Sequence, residues 1–190
     1  FRGKKTNKWV LQKYIDNPLL IPTSNKKFHL RFIFIVMNIG SKIECYLFKD
    51  GCFYPSKYAY TLKKLDFDIH DTHGSATKIN EKGFFPEYFK ELYGKSKTNK
   101  VYEDLINIFK YISSIIEFEC YKKESKNCFH LIGADIMITD NFETKLIELN
   151  MEPGFRPFMW FPKKGEFFKK ELLEITLNKS PKNIKHFIKV

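Results

Sequence analysis

Asp135, Glu148 and Asn150 lie in two alternating, β-rich apolar runs, "GADIMI" and "KLIELN", joined by the polar link Thr139 to Thr144. Alternation with a short polar link predicts a β-hairpin. If its loop centres between Asn141 and Phe142, Asp135 falls directly opposite Glu148, and Asn150, two residues on, points to the same face. Two carboxylates and an amide oxygen would then converge. Carboxylates held that close repel each other and lose hydration, so the arrangement is costly unless a cation or a proton compensates. Oxygen-only ligands favour magnesium. The alternative is that all three cap a strand end or face water, the commoner fate of acidic residues, and a slip of one residue would separate Asp135 from Glu148.

The elements that must position these residues are legible in outline. Trp9 to Ile15, "WVLQKYI", reads as a strand stopped by "DNP". In Phe28 to Met37, Phe28, Leu30, Phe32, Phe34 and Val36 share one face, and His29 and Arg31 share the other with Ile33 and Ile35. A third strand is expected over about Ile43 to Phe48. Lys49 to Gly51 reads as a turn leading into a short fourth strand near Cys52 to Tyr54. A polar stretch with two histidines, His70 and His73, follows. A long helix is expected over Val101 to Lys122, with Val101, Leu105, Ile108, Ile112, Ile115 and Ile116 on one face. After the hairpin, a last helix near Glu166 to Asn178 would turn Phe168, Leu172 and Ile175 inward. With an antiparallel first third, the expected fold class is α+β: an antiparallel sheet with flanking helices.

Composition narrows the class. At 190 residues the chain is long enough to bury a real core, and its net charge is +11. Phe, Tyr, Ile, Lys and Asn are all abundant, so part of that charge can reflect a genome-wide preference. Taken at face value it would attract a polyanion such as nucleic acid, an anionic membrane surface, nucleotide phosphates or a Glu-rich tail. The four cysteines, Cys45, Cys52, Cys120 and Cys128, show no zinc spacing. They read as free thiols of a reducing, cytoplasmic compartment. No run is long enough to span a bilayer, and no signal peptide is visible. A first residue of Phe rather than Met suggests a piece of a longer chain.

Three segments in order, "WVLQKYIDNPLLI", "KKFHLRFIFIV" and "GADIMITDNFETKLIELN", resemble the tubulin-tyrosine ligase-like family of ATP-grasp ligases. The family pattern is a VVQKYI-type strand with NPLLI, then KFDLR, then a hairpin closed by E-x-N. The resemblance implies an ATP-grasp-like fold, formed over residues 1–190 by one domain that lacks its amino-terminal portion, including the glycine-rich loop of the smaller lobe. It implies that Gln12, Lys13, Tyr14 and Ile15 lie against adenine, that Lys27 and His29 contact the nucleotide, and that Arg31 lies near the transferred phosphate. Arginine suits that place because its planar fork binds phosphate oxygens at two points. Asp135, Glu148 and Asn150 would hold Mg2+ on the phosphates of ATP. Activity would be the joining of a free amino acid to a protein carboxylate, as on a tubulin-like acidic tail, through an acyl phosphate. The setting would be cytoplasmic or cytoskeletal, with no role for a membrane.

Departures from the pattern fall near the same place. His29 stands where the family has aspartate, Tyr54 where it has arginine, and His73 where "HLTN" has asparagine. They leave open a non-catalytic ATP-grasp relic that grips nucleotide or an acidic partner. Nucleic-acid binding ranks low: Lys and aromatic residues interleave in "SKYAYTLKK", but no recognised motif accompanies them. In "EPGFRPFMWFP", Arg156 could meet a carboxylate, although aromatic packing under the last helix accounts for the segment as well.

Overall fold

The computed structural model describes residues 11–39, 42–72, 83–120 (backbone only from 117), 128–155, 162–177, 181–182 and 184–190. Its hub is Lys26–Ile39 (β2), a fourteen-residue strand of strict alternation. Phe28, Leu30, Phe32, Phe34 and Val36 pack into one buried cluster, and Ile33, Ile35 and Met37 into a second on the opposite face. A strand buried on both faces needs a layer on each side. After the short helix Phe67–His70 (α1), Glu87–Tyr93 (α2) and Lys95–Cys120 (α3), joined at Gly94, supply the first layer. Pro162–Leu177 (α4) supplies the second, through Phe168 and Ile175.

Lys42–Phe48 (β3) and Gly51–Pro55 (β4) both pair antiparallel with β2, as Phe34 with Leu47 and Arg31 with Cys52. They lie end to end on one side of it. The turn expected at Lys49 to Gly51 therefore does not reverse the chain; it is a kink within one long path. Gly51 follows the kink because the ring of Phe32 lies where a β-carbon would stand. Cys128–Ile138 (β6) pairs with the other side of β2, and Thr144–Asn150 (β7) with β6. Leu20–Ile21 (β1), Phe84–Phe85 (β5) and Phe187–Lys189 (β8) extend the sheet beside β2, β4 and β3. All of these pairings are antiparallel, so the α+β expectation holds.

Three local expectations need correction. Residues 11–16 are irregular rather than a strand, and residues 9 and 10 lie outside the described set. Helix α3 starts at Lys95, six residues before its first apolar position, because its first turns are polar and carry no apolar signal. Its buried stripe is Val101, Leu105, Phe109 and Ile112, with Ile115 46% exposed, so the inward face is rotated towards Phe109. The end of that helix beyond 120, and Asn178 at the end of the last, lie outside the described residues. Among the described residues Cys45, Cys52 and Cys128 are reduced thiols.

Candidate active site

Alternation in β2 sends His29 and Arg31 to the face opposite α3, and pairing with β6 sets Arg31 beside Asp135. The hairpin register places Asp135 across from Glu148 and Gly133 across from Asn150. It reaches that register by an unforeseen route. Near the loop Ile138 faces Thr144, which centres the hairpin on Asn141, and a bulge between Asp135 and Ile136 then shifts the pairing by one. Bulges re-aim side chains in this way. Without it, Asp135 would face the neighbouring Ile147.

The resulting cluster is tightly connected. Arg31 donates to Asp135 through two bonds, from Nε to Oδ1 and from Nη2 to Oδ2 at 2.7 Å, and both residues are buried. Asn150 Nδ2 donates to Asp135 Oδ2 at 3.2 Å and to Glu148 Oε1 at 2.9 Å. Burial alone would weaken the guanidinium's hold on its proton, but the bonds and charge of Asp135, with Tyr54 and Glu148, raise its pKa. The cation compensating the carboxylates is thus, in the first instance, the protein's own arginine. Gly133 makes room for it: a β-carbon there would stand 2.9 Å from Pro153 Cβ and 3.2 Å from Arg31 Cδ.

Magnesium also suits the donor set. Among the described residues no three His, Cys, Asp or Glu side chains are grouped to hold a metal ion, so the amide of Asn150 must complete any such set. Oxygens of both carboxylates converge on that amide, and a half-turn of the amide would bring its own oxygen to the same point. The three donors are hard oxygens, and Glu148 is exposed.

His29 is 2% exposed and lies beneath this cluster rather than on its surface. It faces Tyr54 across the β2–β4 ladder, and the two rings stack with centroids 4.9 Å apart at 10°. Its Nδ1 is 2.5 Å from Thr72 Oγ1, and its Nε2 is 3.5 Å from Asp135 Oδ1. Two of the departures from the family pattern therefore form one stacked pair. Tyr54 also lies under Arg31, whose guanidinium carbon is 5.8 Å from the ring centroid.

A second group of residues lies apart from this cluster. Gln12, Lys13, Tyr14 and Ile15 line one wall of an open groove of about 500 Å³, and Leu146 and Ile147 of β7 line the facing wall. Ile147 precedes Glu148, so β7 joins the groove to the cluster. Lys27 is 4% exposed and sits behind Tyr14, donating to its hydroxyl at 3.2 Å and to the His70 carbonyl at 3.0 Å. Burial lowers its pKa, partly offset by Asp71. His73 and Arg156 lie outside the described residues. Sequence reasoning assigned no role to Gly133, Leu146 or Ile147. The apolar residue before the glutamate of "IELN" was the available signal for the last.

The sequence model of the tubulin-tyrosine ligase family matches residues 2–185. Similar proteins include "Probable alpha-tubulin polyglutamylase Ttll1" of Tetrahymena thermophila, 30% identical over 77% of this chain and 38% of its own length. "Probable tubulin polyglutamylase TTLL9" of Bos taurus is 30% identical over 77% of this chain and 33% of its own. "Protein monoglycylase TTLL8" of Homo sapiens is 29% identical over 80% of this chain and 19% of its own. The chain thus spans well under half the length of the curated relatives it matches.

Proposed function

Because the chain belongs to the tubulin-tyrosine ligase family, we propose that it carries the metal- and nucleotide-binding part of an ATP-dependent ligase that adds an amino acid to a carboxylate of an acidic, tubulin-like protein tail. Support comes above all from the convergence of Arg31, Asp135, Glu148 and Asn150 at one point of the sheet, beside the groove between residues 12–15 and Ile147.

On this reading Ile147 and Leu146 offer an apolar wall to adenine, and the irregular backbone of Gln12 to Ile15, which is in no strand, offers polar groups to its edge. Asp135, Glu148 and Asn150 hold Mg2+, which when bound supplies positive charge to the ATP phosphates. Arg31 lies beside that point and binds the transferring phosphoryl group, sharing its fork between Asp135 and phosphate oxygens. An acceptor carboxylate oxygen attacks the γ-phosphorus as the bond to ADP breaks, giving an acyl phosphate. The amine of the donor amino acid then attacks the acyl carbon, loses a proton and expels phosphate. No protein nucleophile is required; the side chains position reactants and stabilise charge. The net charge of +11 favours encounter with an acidic tail. The relatives named for polyglutamylation and glycylation make glutamate and glycine the first donors to try.

Calorimetry of Mg2+-dependent ATP binding to the full-length protein tests this. Asp135→Asn with Glu148→Gln should weaken binding at least about tenfold, the lower end of what perturbing a metal site costs. Binding that survives the double change overturns the metal assignment. A second reading, nucleotide grip without turnover, is favoured by the two hydrogen bonds from Arg31 to Asp135, which already neutralise the buried carboxylate. Acceptor-dependent ADP release separates the two.

A further inference from the structure

Helix α4 turns only part of its surface to the sheet. Phe168, Glu171 and Ile175 face inward. At about 100° per residue the opposite arc holds Lys163, Glu166, Lys170, Leu173 and Leu177, with Phe167 and Lys169 at its margins. Leu173 and Leu177, one turn apart, are 57% and 76% exposed, and Phe167 is exposed nearer the start of the helix. Single exposed apolar side chains are ordinary on a protein surface, but two leucines in file with a phenylalanine at their margin form a patch.

The chain returns along one flank of this arc. Lys182 N donates to Glu174 Oε1 at 3.3 Å and Lys185 N to Glu171 Oε1 at 3.0 Å, and the His186 ring stacks on Phe167 with centroids 4.6 Å apart at 7°. These bonds use the backbone and leave the Lys182 and Lys185 side chains exposed beside the helix. Lys163, Lys169 and Lys170 are exposed as well, and among the described residues none of the five pairs with a carboxylate. Lys164, on the inward side, is by contrast bound to Asp50 and Glu87. Glu171 is buried, and both it and Glu174 accept from backbone N–H groups, so the exposed charge of this surface is strongly positive.

We propose that the outward arc of α4, with Lys182 and Lys185 beside it, docks an acidic segment of another protein that carries apolar side chains among its carboxylates. The lysines attract carboxylates, and the leucines give those contacts a dry centre that fixes the segment's register. A second copy of the same face would set lysine against lysine, which like-charge repulsion disfavours. An anionic membrane shares the charge preference but fits less well. Glu166 stands within the arc between Lys163 and Lys170, so insertion would carry a carboxylate into the interface, and the Phe167 ring lies flat on His186 instead of projecting. The docking goes beyond the ligase reading: none of these residues belongs to the Arg31 cluster or to the groove, and the surface holds its segment whether or not a nucleotide turns over.

The test is fluorescence anisotropy of the full-length protein, without nucleotide, against a fluorescein-labelled dodecapeptide of repeated Glu-Glu-Leu. Gln-Gln-Leu and Glu-Glu-Ser peptides of the same length serve as comparisons, and both should bind more weakly. Lys169→Gln with Lys170→Gln should weaken binding of the Glu-Glu-Leu peptide about fivefold, an effect that shrinks as salt is raised. Leu173→Asn with Leu177→Asn should weaken it about fivefold at low and high salt alike. Lys95→Gln with Lys110→Gln removes the same charge from α3, on the other side of the sheet, and should leave binding within about twofold. Equal weakening by the α3 pair would mean that net charge alone attracts the peptide. Gln-Gln-Leu binding as tightly as Glu-Glu-Leu would remove the role of charge. Peptides that fail to bind, while phosphatidylserine vesicles bind through α4, would assign the surface to a membrane. Each of these outcomes, like an absence of binding to every probe, overturns the proposal. A protein that binds no ATP in calorimetry yet holds the peptide through α4 would lose the ligase reading and keep this one.

Discussion

Gly133 and Arg31 illustrate how a side chain is aimed by what is missing next to it. The guanidinium reaches Asp135 over a backbone without a β-carbon, and Pro153 closes the other side. Gly133→Ala should cost about 1–3 kcal/mol through overpacking and push Arg31 off its two bonds. Urea unfolding and ATP calorimetry, run side by side, should both register the loss; full retention of both would mean that Arg31 and Pro153 yield without consequence. A different kind of residue effect belongs to Glu44, which accepts from Lys189, Tyr46 and Lys42 where β3 meets β8. Its partial burial works the other way, yet those three partners hold its pKa at about 2, against an ordinary 4.5. A depressed carboxylate stabilises the fold fully above the unfolded pKa. That contribution fades as pH falls from about 4.5 towards 2. Melting temperatures of Glu44→Gln should therefore fall below those of the unaltered protein at pH 6 and converge with them near pH 2.

At the scale of elements, α3 is held by a stripe more than by its helix propensity. Phe109 is fully buried against Phe32 and Phe34, with ring centroids 6.2 and 5.3 Å away. Phe109→Ala should destabilise by about 3–5 kcal/mol, whereas Ile115→Ala on the exposed flank should stay within about 0.5 kcal/mol. Chemical unfolding of the pair checks the rotation of the stripe, and equal costs would contradict it. Periodicity identified the helix and most of its face, but not which flank turns inward, since adjacent candidates at 108, 109, 115 and 116 fit similar arcs. Helix α4 shows a related blind spot. Its buried Glu171 accepts from the backbone N–H of Lys185, His186 and Phe187 and so anchors the approach to β8, a contact for which apolar patterning offers no sign.

For the whole molecule, the sheet separates two jobs. The face towards α2 and α3 is a continuous apolar core, and the face towards α4 carries apolar residues along part of β2 and the charged cluster at the end bearing His29 and Arg31. No helix among the described residues is long and apolar enough to cross a membrane. The edge strand β7 leaves Leu146 and Leu149 each 37% exposed. Long-range electrostatics then act on a surface whose site lies at one rim of the sheet.

The sequence alone determined what depends on neighbours along the chain. The alternation of β2 divides its faces, the polar link between apolar runs makes the hairpin, and the spacing of Glu148 and Asn150 sends both to one side. Those are consequences of two-residue strand geometry. Tertiary structure decided what depends on residues brought from far apart. A bulge set the pairing of Asp135 with Glu148, and Arg31, 104 positions away, became the partner of Asp135. His29 met Tyr54 and Thr72, and Tyr14 met His70, through cross-strand register and a returning strap. Residues 11–16 carry a strand-like pattern yet run irregularly, because side-chain alternation does not by itself supply a pairing partner. Local pattern selects a conformation; only packing selects a partner.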